Sequence, residues 1–350
     1  MPVFEAQQLK EIALSIFKSA GVPDDEAETV SQALINANLA GHDSHGVIRI
    51  PQYIDMLLKG MIRPGEGIEI LRETPTTAVI DGRWGFGQVV ASKTMRMAID
   101  KARENHLGAV AARRCNHVGR IGDYAEMAAR EGMIGMVTVN NHGAGLLVAP
   151  WGGRERRLST NPISFAIPRG EDEPIVLDIT TSVAAEGKVR VKRNKGEKLP
   201  DGWIIDHEGK PSTDPNDLYG SEGTPPGALL PMGGRVGYKG FGLSVVVDVL
   251  SGALSGAGCS GKPGSRLGNS IFALAINIEG FRPIGDFKSE VDRFVQFIKS
   301  CPLAPGFDEI LMPGEPESRT REERLHDGIF VDDVTWSQIV EAAQKVGARI

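Results

Sequence analysis

Leu9, Ile12, Ala13, Ile16 and Phe17 recur at helical spacing, which predicts a helix over residues 4–20, stopped at Gly21. Asp24 is expected to cap a second helix running to about Leu39. Glu26 and Glu28 favour its N-terminal dipole and Gly41 ends it. A third short helix follows Pro51, carries Tyr53, Ile54, Leu57 and Leu58, and ends at Gly60. The rhythm then changes. Thr77–Asp81, Ala109–Arg113, Met133–Val139, Ile163–Pro168, Ile175–Thr180 and Ser270–Ile278 are apolar, β-branched runs that predict strands. Gly82–Gly87 is a Gly-rich turn. Helices are expected at Gln88–Asn105, Ile121–Glu131, Val183–Lys192 and Gly240–Leu254. Lys195–Pro231 reads as a long loop. From Phe287 the pattern is helical again (Val291, Phe294, Val295, Ile298), with a loop at Leu303–Glu317 and a last helix at Asp333–Val346. The expected fold is α/β (α+β), with a sheet domain at 75–285. Residues 1–74 with 286–350 would form a helical domain, discontinuous in sequence.

The 350 residues suffice for two domains, and 41% hydrophobic with 24% charged residues excludes intrinsic disorder as the main state. The 43 glycines imply many tight turns and close backbone approaches, as around an extended ligand. A net charge of −6 argues against a nucleic-acid partner. The basic run Arg190–Lys195 is broken by Val191 and Asn194 and reads as a solvated loop. Cys115, Cys259 and Cys301 form neither a disulfide framework nor a metal-binding CxxC, which fits a reducing compartment. No signal-peptide core marks Met1–Lys18, and no stretch nears the ~20 apolar residues of a membrane span. A cytoplasmic protein without a membrane partner is expected.

Gly256–Gly261 spells G-x-G-x-x-G, and Lys262 extends it toward a P-loop. It follows a predicted helix rather than a strand, and Pro263 stands where a P-loop needs Ser or Thr. It reads as a flexible loop. The densest polar cluster is Gly41-His42-Asp43-Ser44-His45-Gly46, followed by Arg49, at a junction between helices. A histidine can exchange a proton near neutral pH, Ser44 can orient it, and Arg49 offers a fork for a carboxylate. That pairing suits a 2-keto or 2-hydroxy acid. A helix C-cap with a buried His fits the same spacing. So does a metal-dependent hydrolase site with His42, Asp43 and His45 as ligands. Asn116–Gly122 follows a strand and opens a helix, where backbone N–H groups could meet a phosphate. Thr160 and Asp178–Thr180 lie at strand edges.

These segments resemble the malate/L-lactate dehydrogenase family of the second, non-Rossmann type. That family also holds sulfolactate and ureidoglycolate dehydrogenases and cyclic imino-acid reductases. The resemblance rests on AGHDSHGVIRIPQY (40–53), GFGQVV (85–90), NHVGRIGDY (116–124), LSTNPISFAIP (158–168), LDITTSVAAEGK (177–188), LPDGWIID (199–206), residues 237–254, and LMPGEPESRTREERLHDGI (311–329). Its wording is most similar to the hydroxycarboxylate dehydrogenase B branch. It implies a homodimeric NAD(P)-dependent oxidoreductase acting on a small 2-oxo or 2-hydroxy acid. A non-Rossmann sheet domain would bind NAD or NADP. By the same resemblance Ser44 and His45 form a relay, and Arg49 and Thr160 hold substrate. His117, Val118, Gly119, Arg120 and Ile121 form a cofactor loop, with His117 a second candidate acid or base. Asp178, Ile179 and Thr180 line the cofactor, as do Tyr238, Lys239, Pro313, Gly314 and Glu315. Lys188 replaces an acidic group of the imino-acid reductases, a change that suits an anionic oxo acid. Asn140-Asn141 stands where the ureidoglycolate branch has a lysine. Extra residues at 235–237 precede Tyr238. Arg120, Arg319 and Arg321 are candidates for a 2′-phosphate.

Overall fold

The computed structural model describes residues 2–143, 145–262, 264 and 266–350. Its centre is a seven-stranded mixed sheet. In spatial order the strands are Glu69–Glu73, Thr77–Asp81, Leu107–Cys115, Gly268–Asn277, Met133–His142, Ile163–Ile167 and Ile175–Ile179. Thr77–Asp81 and Leu107–Cys115 are parallel, joined by the crossover helix Gly87–Asn105. Every other neighbouring pair is antiparallel. Gly268–Asn277 lies between the strands that precede and follow the helix Gly122–Arg130.

The two helices cover one face of the sheet. Ile80, Met95, Ile99, Val110, Tyr124, Ala125, Val137 and Ile271 form the core between them. Two glycines set the spacing. A Cβ on Gly108 would stand 1.9 Å from the Ala98 carbonyl, and one on Gly135 would stand 2.3 Å from that of Ala125. The helices therefore lie closer to the sheet than any larger residue at those positions permits.

A second core joins Leu9, Ile16, Phe17, Val30, Leu34, Val47, Ile50 and Tyr53 to Ile329, Val331 and Ile339 near the other end of the chain. Val3 and Phe4 pair with Phe330 and Ile329 in a two-stranded ribbon. Phe86 and Val89, from the turn and crossover helix of the sheet unit, belong to this core too.

Several elements differ from the sequence reading. Pro23, not Asp24, is the N-cap of the second helix, and Asp24 is its first residue. Residues 195–231 are not a bare loop. Ile204–Ile205, Pro211–Ser212 and Ala228–Leu229 form a small sheet beside the helix Pro215–Tyr219. Val148, Val189, Leu199, Ile204, Leu218 and Leu229 are its core. Strands of two residues carry no readable alternation. The edge strand Glu69–Glu73 is exposed at every residue, so no apolar period marks it. The helix expected from Val183 begins at Glu186 and runs to Asn194. Its basic run is helical, with Arg190 near Glu186 and Lys192 bonded to Glu197. The helix expected over Gly240–Leu254 is α-helical only over Tyr238–Asp248 and widens to a π turn at Val249–Ala253. Polar residues 315–327 form a helix that starts within the expected 303–317 loop and runs on through a stretch where no element was expected.

Candidate active site

The second helix ends at Leu39. Gly41 takes φ +78, and the chain enters two successive 3-10 turns, Asp43–His45 and Val47–Arg49, before the third helix starts at Ile50. Asn38 holds this turn from inside. Its side chain donates to Asp43 Oδ1 at 2.7 Å and accepts from the Val47 N–H at 2.9 Å. A Cβ on Gly46 would stand 2.2 Å from that amide, so the turn needs glycine there. The helix Glu315–Asp327 holds it from outside. His42 Nε2 lies 3.4 Å from Glu317 Oε1, and Arg324 binds both Asp43 oxygens, at 2.6 and 3.0 Å.

His45 and Arg49 are thereby presented together. Ser44 Oγ lies 3.0 Å from His45 Nδ1. Arg49 Nε donates to the Ser44 carbonyl at 2.7 Å, and its Nη1 to Gln52. No carboxylate forms an ion pair with Arg49 among the described residues, so its charge is free for an anionic ligand. Across the cleft His117 stacks on His45, with centroids 5.4 Å apart and planes 19° apart. His117 Nδ1 is 2.7 Å from the Tyr53 hydroxyl, which accepts from Gln88 Nε2 at 2.8 Å. A Cβ on Gly87 would lie 2.3 Å from the Asn116 and His117 carbonyls, so glycine lets the crossover helix press against the His117 turn. Asn269, on the central strand, accepts from the Val118 N–H and donates to the Asn140 carbonyl, tying that turn to the sheet.

The electrostatics favour neutral imidazoles. Burial, followed by the charges of Arg49, His42 and Arg120, lowers the His45 pKa to about 3. Burial, then Arg49 and His45, holds His117 well below the usual histidine range. Burial pushes the Tyr53 hydroxyl up to about 12, so it keeps its proton.

The hydrolase alternative fails on geometry. His42 faces Glu317, Asp43 faces Arg324 and His45 faces Ser44, so the three side chains do not converge. No group of three or more His, Cys, Asp or Glu among the described residues is placed to hold a metal. The helix at Gly122 is not an open phosphate site either. Its Gly122 N–H already donates to Asp178 Oδ2 at 2.8 Å. Arg120 is buried against Asp123, Glu126 and Asp178, and Arg319 binds Glu309. Two of the three candidates for a 2′-phosphate, Arg120 and Arg319, are therefore already paired.

Asp178–Thr180 lie at the end of the edge strand Ile175–Ile179. The 313–315 turn borders it, with the Val176 N–H donating to the Pro313 carbonyl and Gly314 at φ +96. Glu315 binds Lys299 and the Met312 N–H. Thr160 O accepts from both the backbone and hydroxyl of Thr181. The helix carrying Lys188 abuts the 43–49 turn, since a Cβ on Gly187 would stand 3.1 Å from Ser44 Cβ. Lys188 itself is exposed. Tyr238 packs on Trp151 and Lys239 is exposed, and neither contacts the two histidines. The G-x-G-x-x-G segment opens toward a strand, not a helix. Its Ser260 N–H and hydroxyl bind the buried Asp248.

A histidine pair beside a half-buried guanidinium with no ion-pair partner among the described residues, on a sheet that is not a Rossmann fold, fits an oxidoreductase of small hydroxy acids. The family model described as malate/L-lactate dehydrogenase matches residues 4–340. The chain belongs to that family. It is 41% identical to the malate dehydrogenase of Pyrococcus horikoshii, over 95% of this chain and 92% of that one. With hydroxycarboxylate dehydrogenase B of Escherichia coli K12 the identity is 36%, over 98% and 94%. The branch suggested by wording is therefore less similar overall than the archaeal malate dehydrogenase. A crystal structure of malate dehydrogenase from Entamoeba histolytica superposes with a TM-score of 0.92 at 32% identity, covering 100% of this chain and 99% of that one.

Proposed function

We propose that this chain uses NAD or NADP to interconvert a short 2-keto acid and its 2-hydroxy acid, with His45 as acid and base and Arg49 as the carboxylate anchor. The observation that carries the reading is the pairing of His45 with an Arg49 that no carboxylate neutralises. The nicotinamide, when bound, supplies or removes the hydride. Gln88 Oε1, beside the Tyr53–His117 contact, is a buried acceptor without a hydrogen-bond partner, which suits an N–H of a carboxamide. His117–Ile121, Asp178–Thr180 and Pro313–Glu315 are the proposed cofactor contacts, and Thr160 a substrate contact. The three free cysteines suit a cytoplasmic location, and no helix among the described residues is long and apolar enough to cross a membrane.

The test is nicotinamide absorbance with NADH and NADPH separately, against hydroxypyruvate, phenylpyruvate, pyruvate, oxaloacetate and cyclic imino acids. Oxidation by a keto acid is expected. Oxidation by the imino acids alone would replace this reading with imine reduction. No oxidation by any of them, with cofactor bound, would end it.

Because His45 is neutral in the free protein, reduction needs a proton to arrive with the substrate. A bound carboxylate offsets the Arg49 charge that helps hold the His45 pKa down. Binding of a non-reacting analogue such as oxamate is therefore expected to take up as much as one proton, increasingly as the pH falls below about 6.5. Titration calorimetry in buffers of different ionisation enthalpy reads this directly. Binding without uptake would assign the proton to another group.

We also propose a homodimer. Val245, Val246, Val249 and Leu254 form an exposed apolar face on and after the helix Tyr238–Asp248, and Phe294, Phe297 and Phe307 are exposed as well. Light scattering coupled to gel filtration is expected to give twice the chain mass, and a monomer mass would refute the assembly.

A further inference from the structure

Two histidines face each other in this cleft, and only one can be the proton carrier. Resting on the dehydrogenase reading, we infer that Tyr53 and Gln88 are positioning residues that fix His117 as a neutral imidazole with its proton on Nε2, a stationary hydrogen-bond donor that leaves proton exchange to His45.

The direction of the chain of hydrogen bonds carries this. Gln88 Nε2 has only protons to give, so the Tyr53 oxygen accepts from it. The single Tyr53 proton is then available for the 2.7 Å contact with His117 Nδ1. A ring nitrogen that accepts a hydrogen bond is unprotonated, so the proton of a neutral His117 sits on Nε2. Reversing the amide of Gln88 would turn Tyr53 around and move the His117 proton to Nδ1, so the nitrogen that carries the proton reports the direction of the whole chain. Gly119 packs against the same amide, with its Cβ position 3.5 Å from Gln88 Nε2.

The surroundings oppose a second proton. The groups facing His117 are Tyr53 from the third helix, Gln88 from the crossover helix, and His45 and Arg49 from the catalytic turn. None is a carboxylate, and Arg49 is a fixed positive charge. His45 differs. Its Nδ1 partner is the Ser44 hydroxyl, which can donate or accept, so His45 can pass through both protonation states without breaking that bond. The two rings thus divide the work. A neutral Nε2–H is a far weaker acid than an imidazolium, so it gives way to a protonated His45 as proton donor, yet it stabilises charge developing on a carbonyl oxygen without moving.

The test is the imidazole 15N spectrum of the full chain, labelled at histidine, with the His117 signals identified by their loss in His117→Gln. The expected result is an unprotonated Nδ1 and a protonated Nε2, unchanged between about pH 5 and 8. In Tyr53→Phe the proton is expected to spread over both nitrogens. With nicotinamide and a keto acid, kcat of that variant should fall about three- to tenfold, as for a lost hydrogen bond, with the cofactor KM little changed. Gln88→Leu frees the Tyr53 hydroxyl to rotate and should give the same spectral change more weakly. A wild-type His117 protonated on Nδ1, one that titrates in this range, or a Tyr53→Phe ring identical to wild type would overturn the assignment. The spectrum needs no turnover, so its outcome stands apart from whether the chain is a dehydrogenase.

Discussion

His45→Gln is expected to lower kcat about 10²–10⁴-fold in both directions, the range typical of a removed general acid–base group. The reacting oxygen must gain or lose a proton as the hydride moves, and Gln can do neither. Cofactor KM should stay within about twofold, because the loss falls on the transition state rather than on uniform binding. The pH dependence has a definite sign. His45 is lowered to about 3 in the free protein, so it is ready as a base near neutrality. Oxidation of the hydroxy acid should lose kcat/KM only in acid, once His45 takes a proton, whereas reduction should lose it as the pH rises. Both limbs should be absent in the residual activity of His45→Gln. Steady-state kinetics in the two directions across pH check this, and near-normal turnover would remove His45 from the role.

Arg49→Met should cost nearly as much, about 10²–10³-fold in kcat/KM, and through two routes. One is the carboxylate, since hydrogen bonds to a charged group are each worth about 1.5–3 kcal/mol. The other is the turn itself. Arg49 Nε donates to the Ser44 carbonyl, so its removal loosens the residue that orients His45 and lowers kcat as well. Arg49→Lys should restore little, because an ammonium cannot reach the carbonyl and the substrate together with the geometry of a fork. Arg49 also depresses the pKa values of both His45 and His117. Its loss should shift the acid limb of the oxidation profile to higher pH, a change a purely structural defect would not produce. An unchanged limb alongside a normal keto-acid KM would show that Arg49 does not face the substrate.

Local chemistry was readable along the chain and long-range partnership was not. The helices before Gly60 and the main strands carry clear periods of apolar residues. The proposed catalytic turn shows itself because two histidines, a serine and an arginine fall within a few residues of a glycine. Tyr53 was readable only as part of an apolar stripe, although it sits four residues after Arg49. Its hydroxyl acts on a histidine placed by another unit of the fold. Gln88 lay within a recognised segment, but nothing local says that its amide meets Tyr53. Asn269 shows no signal at all, since its value comes from joining the His117 turn to the strand Met133–His142, both of which the chain reaches far earlier. The same reason explains Arg324. In sequence it is one charge in a highly charged helix, and in space it closes on Asp43.

The position of Gly268–Asn277 bears on how the chain acquires its structure during synthesis. The two strands it separates, Leu107–Cys115 and Met133–His142, leave the ribosome well over a hundred residues before it. Until it arrives they present facing rows of unpaired N–H and C=O groups. Loop closure over such separations is slow, and intermediates with open strand edges are prone to associate. A nascent chain truncated before Gly268 should therefore hold its first helices but lack a closed sheet, and it would depend on chaperones until the central strand emerges. Asn269 enters with that strand, so the bond that ties the His117 turn to the central strand forms only once that strand is in place.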